Sequence, residues 1–147
     1  MYQFRNDYSV GCHPTVLEAL SNANTEHIVG YGEDKYCQEC ADLIRELCSA
    51  PKAQVQFMVG GTQTNLTAIA AFLRPWESVI SPASGHINGH ESGAVEATGH
   101  KILTIRTAAN GKLAPAMLQP VLEECKDEHM TRPRLVYISD ATETGGI

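Results

Sequence analysis

Basic residues are in short supply: 11 Lys and Arg stand against 17 Asp and Glu, a formal net charge of −6. A surface of that sign repels the phosphate backbone of a nucleic acid, so a nucleic-acid partner is not expected. No apolar run approaches the length that crosses a bilayer. The first residues, MYQFRNDYSV, lack the apolar stretch of a signal peptide. A cytoplasmic location is therefore the default expectation. The five cysteines, Cys12, Cys37, Cys40, Cys48 and Cys125, are odd in number and lack the spacing of a disulfide framework. Cys37 and Cys40 form a CxxC, but no second CxxC completes a metal or redox site. Cys37, Cys40, Ile44, Leu47 and Cys48 fall on one face of a helix, which reads as buried thiols in a reducing compartment. Repeats, low-complexity tracts and linkers are absent as well.

What is present is an ordinary globular composition over 147 residues, 43% hydrophobic and 19% charged, enough for one domain with a core. His13-Pro14 opens a helical pattern through Val16, Leu17 and Leu20 that ends near Asn24. A loop then leads to the helix carrying Cys37 to Cys48. Val55, Phe57 and Val59 predict a strand, followed by a helix over 64–73. Glu77–Ser81 reads as a short strand, and NGHESGAVEATG as a short helical piece closed by a glycine. Lys101–Arg106 is a strand and Pro115–Met130 an amphipathic helix. Arg134–Asp140 is a nearly all-apolar last strand of the kind buried on both faces. Two leading helices followed by alternating strands and helices predict an α/β fold with a mainly parallel sheet. In such sheets ligands gather at the carboxyl ends of strands, where Gly60-Gly61-Thr62, the loop after Ser81 and SDATETGG are expected.

The joint FMVGGTQTN admits two readings. Glycines ease a sharp turn, or a helix beginning in Gly-Gly-Thr offers free N–H groups and a positive dipole end to an anion. It is no Walker loop, since no Gly-Lys-Ser/Thr follows, and it lacks the third glycine of a dinucleotide fingerprint. A single phosphate on a small cofactor is the anion that fits. Further on, SGHINGHESGAVEATGHK holds His86, His90, Glu91 and His100. His86 and His90 share a helical face, yet the order HxxxHE is not the HExxH of zinc proteases. Surface histidines, a metal site, and a stacking or acid–base histidine all remain open on this stretch alone.

RNDYSVGCHPTVLEAL, VGYGEDKYC, GGTQTN, GHINGHESGAVEATGHK and ISDATETG occur in one order along essentially the whole chain. In that order and spacing the chain resembles the threonine aldolase/β-eliminating lyase family, fold type I enzymes dependent on pyridoxal 5′-phosphate. The resemblance implies that Gly61 and Thr62, with Gly60 and Gln63 beside them, hold the cofactor phosphate. It implies too that His86 stacks on the pyridine ring and that Glu91 lies near the reacting hydroxyl. Either His86 or Glu91 would then help remove the β-hydroxyl proton. Tyr31 resembles a loop tyrosine that reaches an active site across a subunit interface. Asn6 stands with Asp7 where many relatives have Ser-Asp, and the serine there helps hold the substrate carboxylate. Asparagine retains hydrogen-bonding capacity. Glu143 occupies a position where some relatives carry histidine and others an acid.

By the same resemblance, the family's aspartate for the pyridinium nitrogen, its Schiff-base lysine and its carboxylate-binding arginine all lie beyond Ile147. None of Lys35, Lys52, Lys101, Lys112 or Lys126 sits in a matching motif, Lys101 being the nearest in sequence. Residues 1–147 are accordingly expected to be the N-terminal portion of a large domain, inactive alone. The whole enzyme would cleave a threonine-like β-hydroxy-α-amino acid to glycine and an aldehyde, as a homodimer or homotetramer. The alternatives are a β-eliminating lyase built on the same half-site, and a non-catalytic relic or interaction module.

Overall fold

The structure is a computed structural model that describes Asn6 and residues 8–147. Contacts divide the chain into two compact units, 1–57 and 58–147.

The first unit holds two helices whose starts are written locally. Helix α1, Pro14–Ala23, begins with proline at a position where the missing N–H costs nothing, and the His13 ring accepts from the Thr15 N–H at 3.3 Å. None of its residues is buried, so Val16, Leu17 and Leu20 remain open. Helix α2, Lys35–Leu47, is capped by Asp34, whose carboxylate accepts from the Cys37 N–H at 2.9 Å. The expected burial of the thiols does not hold: Cys12, Cys40 and Cys48 are exposed, and Cys37 and Cys125 half-buried. Amphipathic spacing selects a face but does not supply a cover, and within α2 only Ala41 is buried. The Asp34 carboxylate, followed by desolvation, also raises the Cys37 thiol above its ordinary value, which disfavours the thiolate needed for redox exchange or metal binding.

In the second unit, helix α3, Gly61–Phe72, precedes strand β1, Glu77–Pro82, and the single-turn helix α4, His86–Gly89. A 3₁₀ turn at Glu96–Thr98 closes on Gly99, whose φ of +88° is the left-handed stop that the terminal glycine of this stretch predicts. Strand β2 is Ile102–Ile105, helix α5 is Leu118–Glu124 and strand β3 is Arg132–Val136. The sheet order is β2-β1-β3 with both pairings parallel, as expected from the alternating pattern. Strand β1, flanked on both sides, is buried along its whole length. The core gathers on one face of it: Ile69 of α3 and Leu73, just past its end, meet Val79, Ile87 and Val95.

Three expectations are corrected. Val55, Phe57 and Val59 form no strand: among the described residues they have no ladder partner, and the Val59 N–H goes instead to the Gln63 side chain at 3.0 Å. The helix expected to reach Met130 stops at Glu124. Just past it the Asp127 carboxylate captures the His129 N–H at 2.8 Å, a local bond that competes with helix. Strand β3 lies at the sheet edge and its burial alternates, so the last strand is half-open rather than buried on both faces.

A pH dependence follows from the α2 cap. The Cys37 N–H lowers the Asp34 carboxyl below its ordinary 3.8. The unfolded segment thus holds that proton more tightly, so the cap's contribution is complete above the ordinary value. It is lost as pH falls through the lower folded value. In an acid titration followed by helical circular dichroism, Asp34→Asn, which caps without titrating, should lose less signal than the parent chain.

Candidate functional site

At the carboxyl end of β1 the chain makes a tight turn, with the Gly85 N–H donating to the Pro82 carbonyl at 2.8 Å. Helix α4 starts there, and Ile87, almost fully buried, anchors it in the core. That anchor leaves the preceding His86 side chain 43% exposed. The turn closes at His90, and the chain then folds Glu91 inward beneath His86. Glu91's side chain is 0% exposed. Its Oε1 lies 2.8 Å from His86 Nδ1 and accepts from Asn65 Nδ2 at 2.6 Å. Its Oε2 is buried without a partner. The His90 ring lies 5.5 Å from that of His86, tilted by 45°.

Asn65 ties this group to α3. Asn65 and Ile69 are four residues apart on one face of α3, so the apolar packing of Ile69 carries Asn65 against Glu91. Thr62 is three residues earlier, one helical turn toward the N-terminus. There the first intrahelical bond is Thr64 N–H to the Gly60 carbonyl at 3.0 Å, which leaves the N–H groups of Gly61, Thr62 and Gln63 outside the ladder. No side chain caps this end. Gln63 spends its carbonyl oxygen on Val59, and a Cβ at Gly60 or Gly61 would meet nothing within 4 Å.

Of the residues expected from the sequence, His86 and Glu91 are thus in direct contact. Gly60, Gly61, Thr62 and Gln63 form the open helix start one turn from Asn65. Asn65 itself was not anticipated as a site residue; nothing in GGTQTN marks a partner 26 positions away. Asn6 and Tyr31 belong to the first unit. Asn6 Oδ1 accepts from the Ser9 hydroxyl at 2.6 Å, while Asp7 lies outside the described residues. Tyr31 is fully exposed and holds a φ of +66°, an uncommon conformation for a bulky side chain. Lys101 precedes β2, at the amino end of the sheet and away from the end that carries His86. The loops at the carboxyl end enclose a cavity of about 230 Å³ whose lining includes Gly85, Lys112, Ser139, Asp140 and Glu143. The Ser139 hydroxyl reaches Glu143 Oε1 at 3.4 Å. Among the described residues no helix is long and apolar enough to cross a membrane.

The turn before His86 requires glycine for steric reasons. A Cβ at Gly85 would run into the Ser81 hydroxyl and come within 3.0 Å of the Pro82 carbonyl oxygen. Gly85→Ala should therefore lower stability in urea unfolding by about 1–3 kcal/mol, the usual cost of overpacking, although its backbone angles suit alanine.

The sequence profile described as beta-eliminating lyase matches residues 3–147. The chain is 35% identical to a low specificity L-threonine aldolase of Pseudomonas sp. (strain NCIMB 10558) and 33% identical to one of Pseudomonas aeruginosa. Each of these alignments covers 99% of this chain and 42% of the relative. A solved structure of Leishmania major threonine aldolase is 50% identical and has a TM-score of 0.94, covering 99% of this chain and 42% of its own. The chain thus spans less than half the length of the relatives it matches. Its parallel sheet and flanking helices correspond to part of the fold type I large domain. With nearly every residue inside the matched profile, the chain belongs to the β-eliminating lyase family.

Proposed function

We propose that this chain forms the phosphate- and ring-holding half of a pyridoxal-phosphate-dependent aldolase that cleaves threonine-like β-hydroxy-α-amino acids to glycine and an aldehyde. One observation carries the reading: the hydrogen-bonded run Asn65–Glu91–His86 joins a half-exposed imidazole to a helix whose open N-terminus is one turn away. The relatives, all threonine aldolases, agree with it.

The residues present fit the cofactor. Three free N–H groups, the exposed Thr62 hydroxyl and the positive helix end suit a phosphate. The empty space over Gly60 and Gly61 lets it approach the backbone closely. Pyridoxal phosphate, when bound, supplies the electron sink for breaking the Cα–Cβ bond. Gly61 and Thr62, with Gly60 and Gln63, hold its phosphate. His86 lies against its ring and accepts the β-hydroxyl proton at Nε2, the nitrogen that Glu91 leaves free. Glu91, wholly covered, acts through His86 rather than on the substrate directly. Asn6 contributes to holding the substrate carboxylate, and Tyr31 extends toward the site of a second subunit in a homodimer or homotetramer. The open Leu17 and Leu20 of α1 are consistent with such association. The cytoplasm is the compartment proposed.

The family's own description favours a second reading, expulsion of a leaving group from Cβ, on the same half-site. In the enzyme containing this chain, glycine and aldehyde release from threonine supports the aldolase; pyruvate formation without glycine supports elimination.

The phosphate corner has its own test in Gly60→Asp. Aspartate is a better N-cap than glycine by a few tenths of a kcal/mol, and the extended backbone at Gly60 accepts it. The melting temperature should hold or rise while pyridoxal phosphate affinity, read by cofactor fluorescence, falls about tenfold or more, since a carboxylate then occupies the anion's place. Unchanged affinity would remove the phosphate from this corner.

A further inference from the structure

We propose that Asn65 is a positioning residue that selects the tautomer of His86, holding the imidazole proton on Nδ1 so that Nε2 is the bare nitrogen. The inference rests on the reading above, in which His86 Nε2 takes the substrate proton, and adds the group that makes that nitrogen available.

The argument is one of donors and acceptors. The Asn65 amide must turn its NH₂ toward Glu91, because its oxygen would oppose lone pair to lone pair. Glu91 Oε1, 2.6 Å away, is thereby an acceptor. It is the same oxygen that meets His86 Nδ1 at 2.8 Å. An oxygen receiving a hydrogen from Asn65 is poorly placed to donate one to the imidazole, so the ring must donate. Which nitrogen of a neutral histidine carries the proton is set by the bond the other makes. Because Oε2 is buried with no partner, the described hydrogen bonding of this carboxylate rests on two groups, Asn65 and His86. With Asn65 donating to it, Oε1 is held as an acceptor. Without that donor the buried carboxyl can carry a proton itself, and an oxygen so protonated can donate to Nδ1, so the tautomer is no longer specified. Ile69, buried one turn on along the same face of α3, and Leu73, buried just past the helix end, fix the position. The tilted His90 ring, 5.5 Å away, offers no described bond to either nitrogen.

The test is a long-range ¹H–¹⁵N correlation spectrum of the ¹⁵N-labelled 147-residue chain without cofactor, with His86→Gln used to assign the ring. In the parent chain, neutral His86 should favour the Nδ1–H form by about fivefold, the ratio one net hydrogen bond supplies. Asn65→Leu, or the milder Asn65→Ser whose hydroxyl is too short to reach Oε1, should abolish or invert that preference. Melting curves confirm that the variant measured is folded. A parent chain mainly in the Nε2–H form, or a folded Asn65 variant with the parent's tautomer ratio, overturns the proposal. The outcome is separable from the cofactor reading. Tautomer selection present with cofactor affinity indifferent to Gly60→Asp upholds Asn65 and removes the phosphate reading. The reverse pattern removes Asn65 and keeps the phosphate.

Discussion

A carboxylate taken wholly out of water has to be served by neighbours, and in this chain that need organises the site. Glu91 is buried with one oxygen shared between an amide from α3 and an imidazole from α4. Removing either partner leaves a buried oxygen less well served, and an unsatisfied buried polar group typically costs about 1–3 kcal/mol. The contact therefore restrains the end of the α4 turn, the ring of His86 and the register of α3 together. The apolar cluster beside it, Ile69 with Leu73, Val79, Ile87 and Val95, uses the same face of α3 and the same turn of α4. Packing and polar contacts point one way, which is the consistency that holds a functional geometry in place.

The sheet sets where this happens. Strand β1 lies between two parallel neighbours and is buried throughout, so its carboxyl end is a rigid ledge from which the Gly85 turn and His86 project. The loops after β2 and β3 meet at the same end around the cavity that includes Lys112 and Glu143. The tendency of parallel α/β sheets to gather functional groups at strand carboxyl ends thus accounts for His86 and the cavity. The Gly60-Gly61-Thr62 corner arises differently. It begins a helix with no strand before it among the described residues, and it reaches the His86 neighbourhood through Asn65.

Much of this was legible in the sequence where the cause is local. His13-Pro14 starts α1 where expected, because caps and N1 proline act over three or four positions, and the helix expected to carry Cys37 to Cys48 runs over Lys35–Leu47. The parallel sheet followed from the alternation of elements. What failed depends on partners that sequence periodicity does not reveal. Val55, Phe57 and Val59 alternate like a strand, but a strand exists only as one member of a ladder. Cys40 and Cys48 share an amphipathic face with nothing over it. His86 and Glu91 were each singled out, yet their five-residue spacing is not a helical one; they meet because the helix breaks at Gly89 and the chain doubles back. Asn65 escaped notice because a short polar residue near a helix start reads as part of the cap.

Two glycines at a helix start can answer the needs of a turn or the needs of something that must come close. Gly60 sits at a φ of −171°, extended backbone open to any residue, and Gly61 is within the helix. Neither has a neighbour that a Cβ would strike. Gly85 shows the contrasting case in the same chain, where the Ser81 hydroxyl and the Pro82 carbonyl exclude a side chain outright. Gly61, inside the helix, costs roughly 0.5–1 kcal/mol of backbone entropy relative to alanine, and no turn geometry recovers that cost. A serine or aspartate at Gly60 would cap the helix better. Its absence leaves the N–H groups of Gly61, Thr62 and Gln63 bare, which is unfavourable for the chain alone and favourable for an oxyanion that needs donors and room. Paired glycines with no neighbour to avoid and no turn to ease are what the phosphate site proposed above would require.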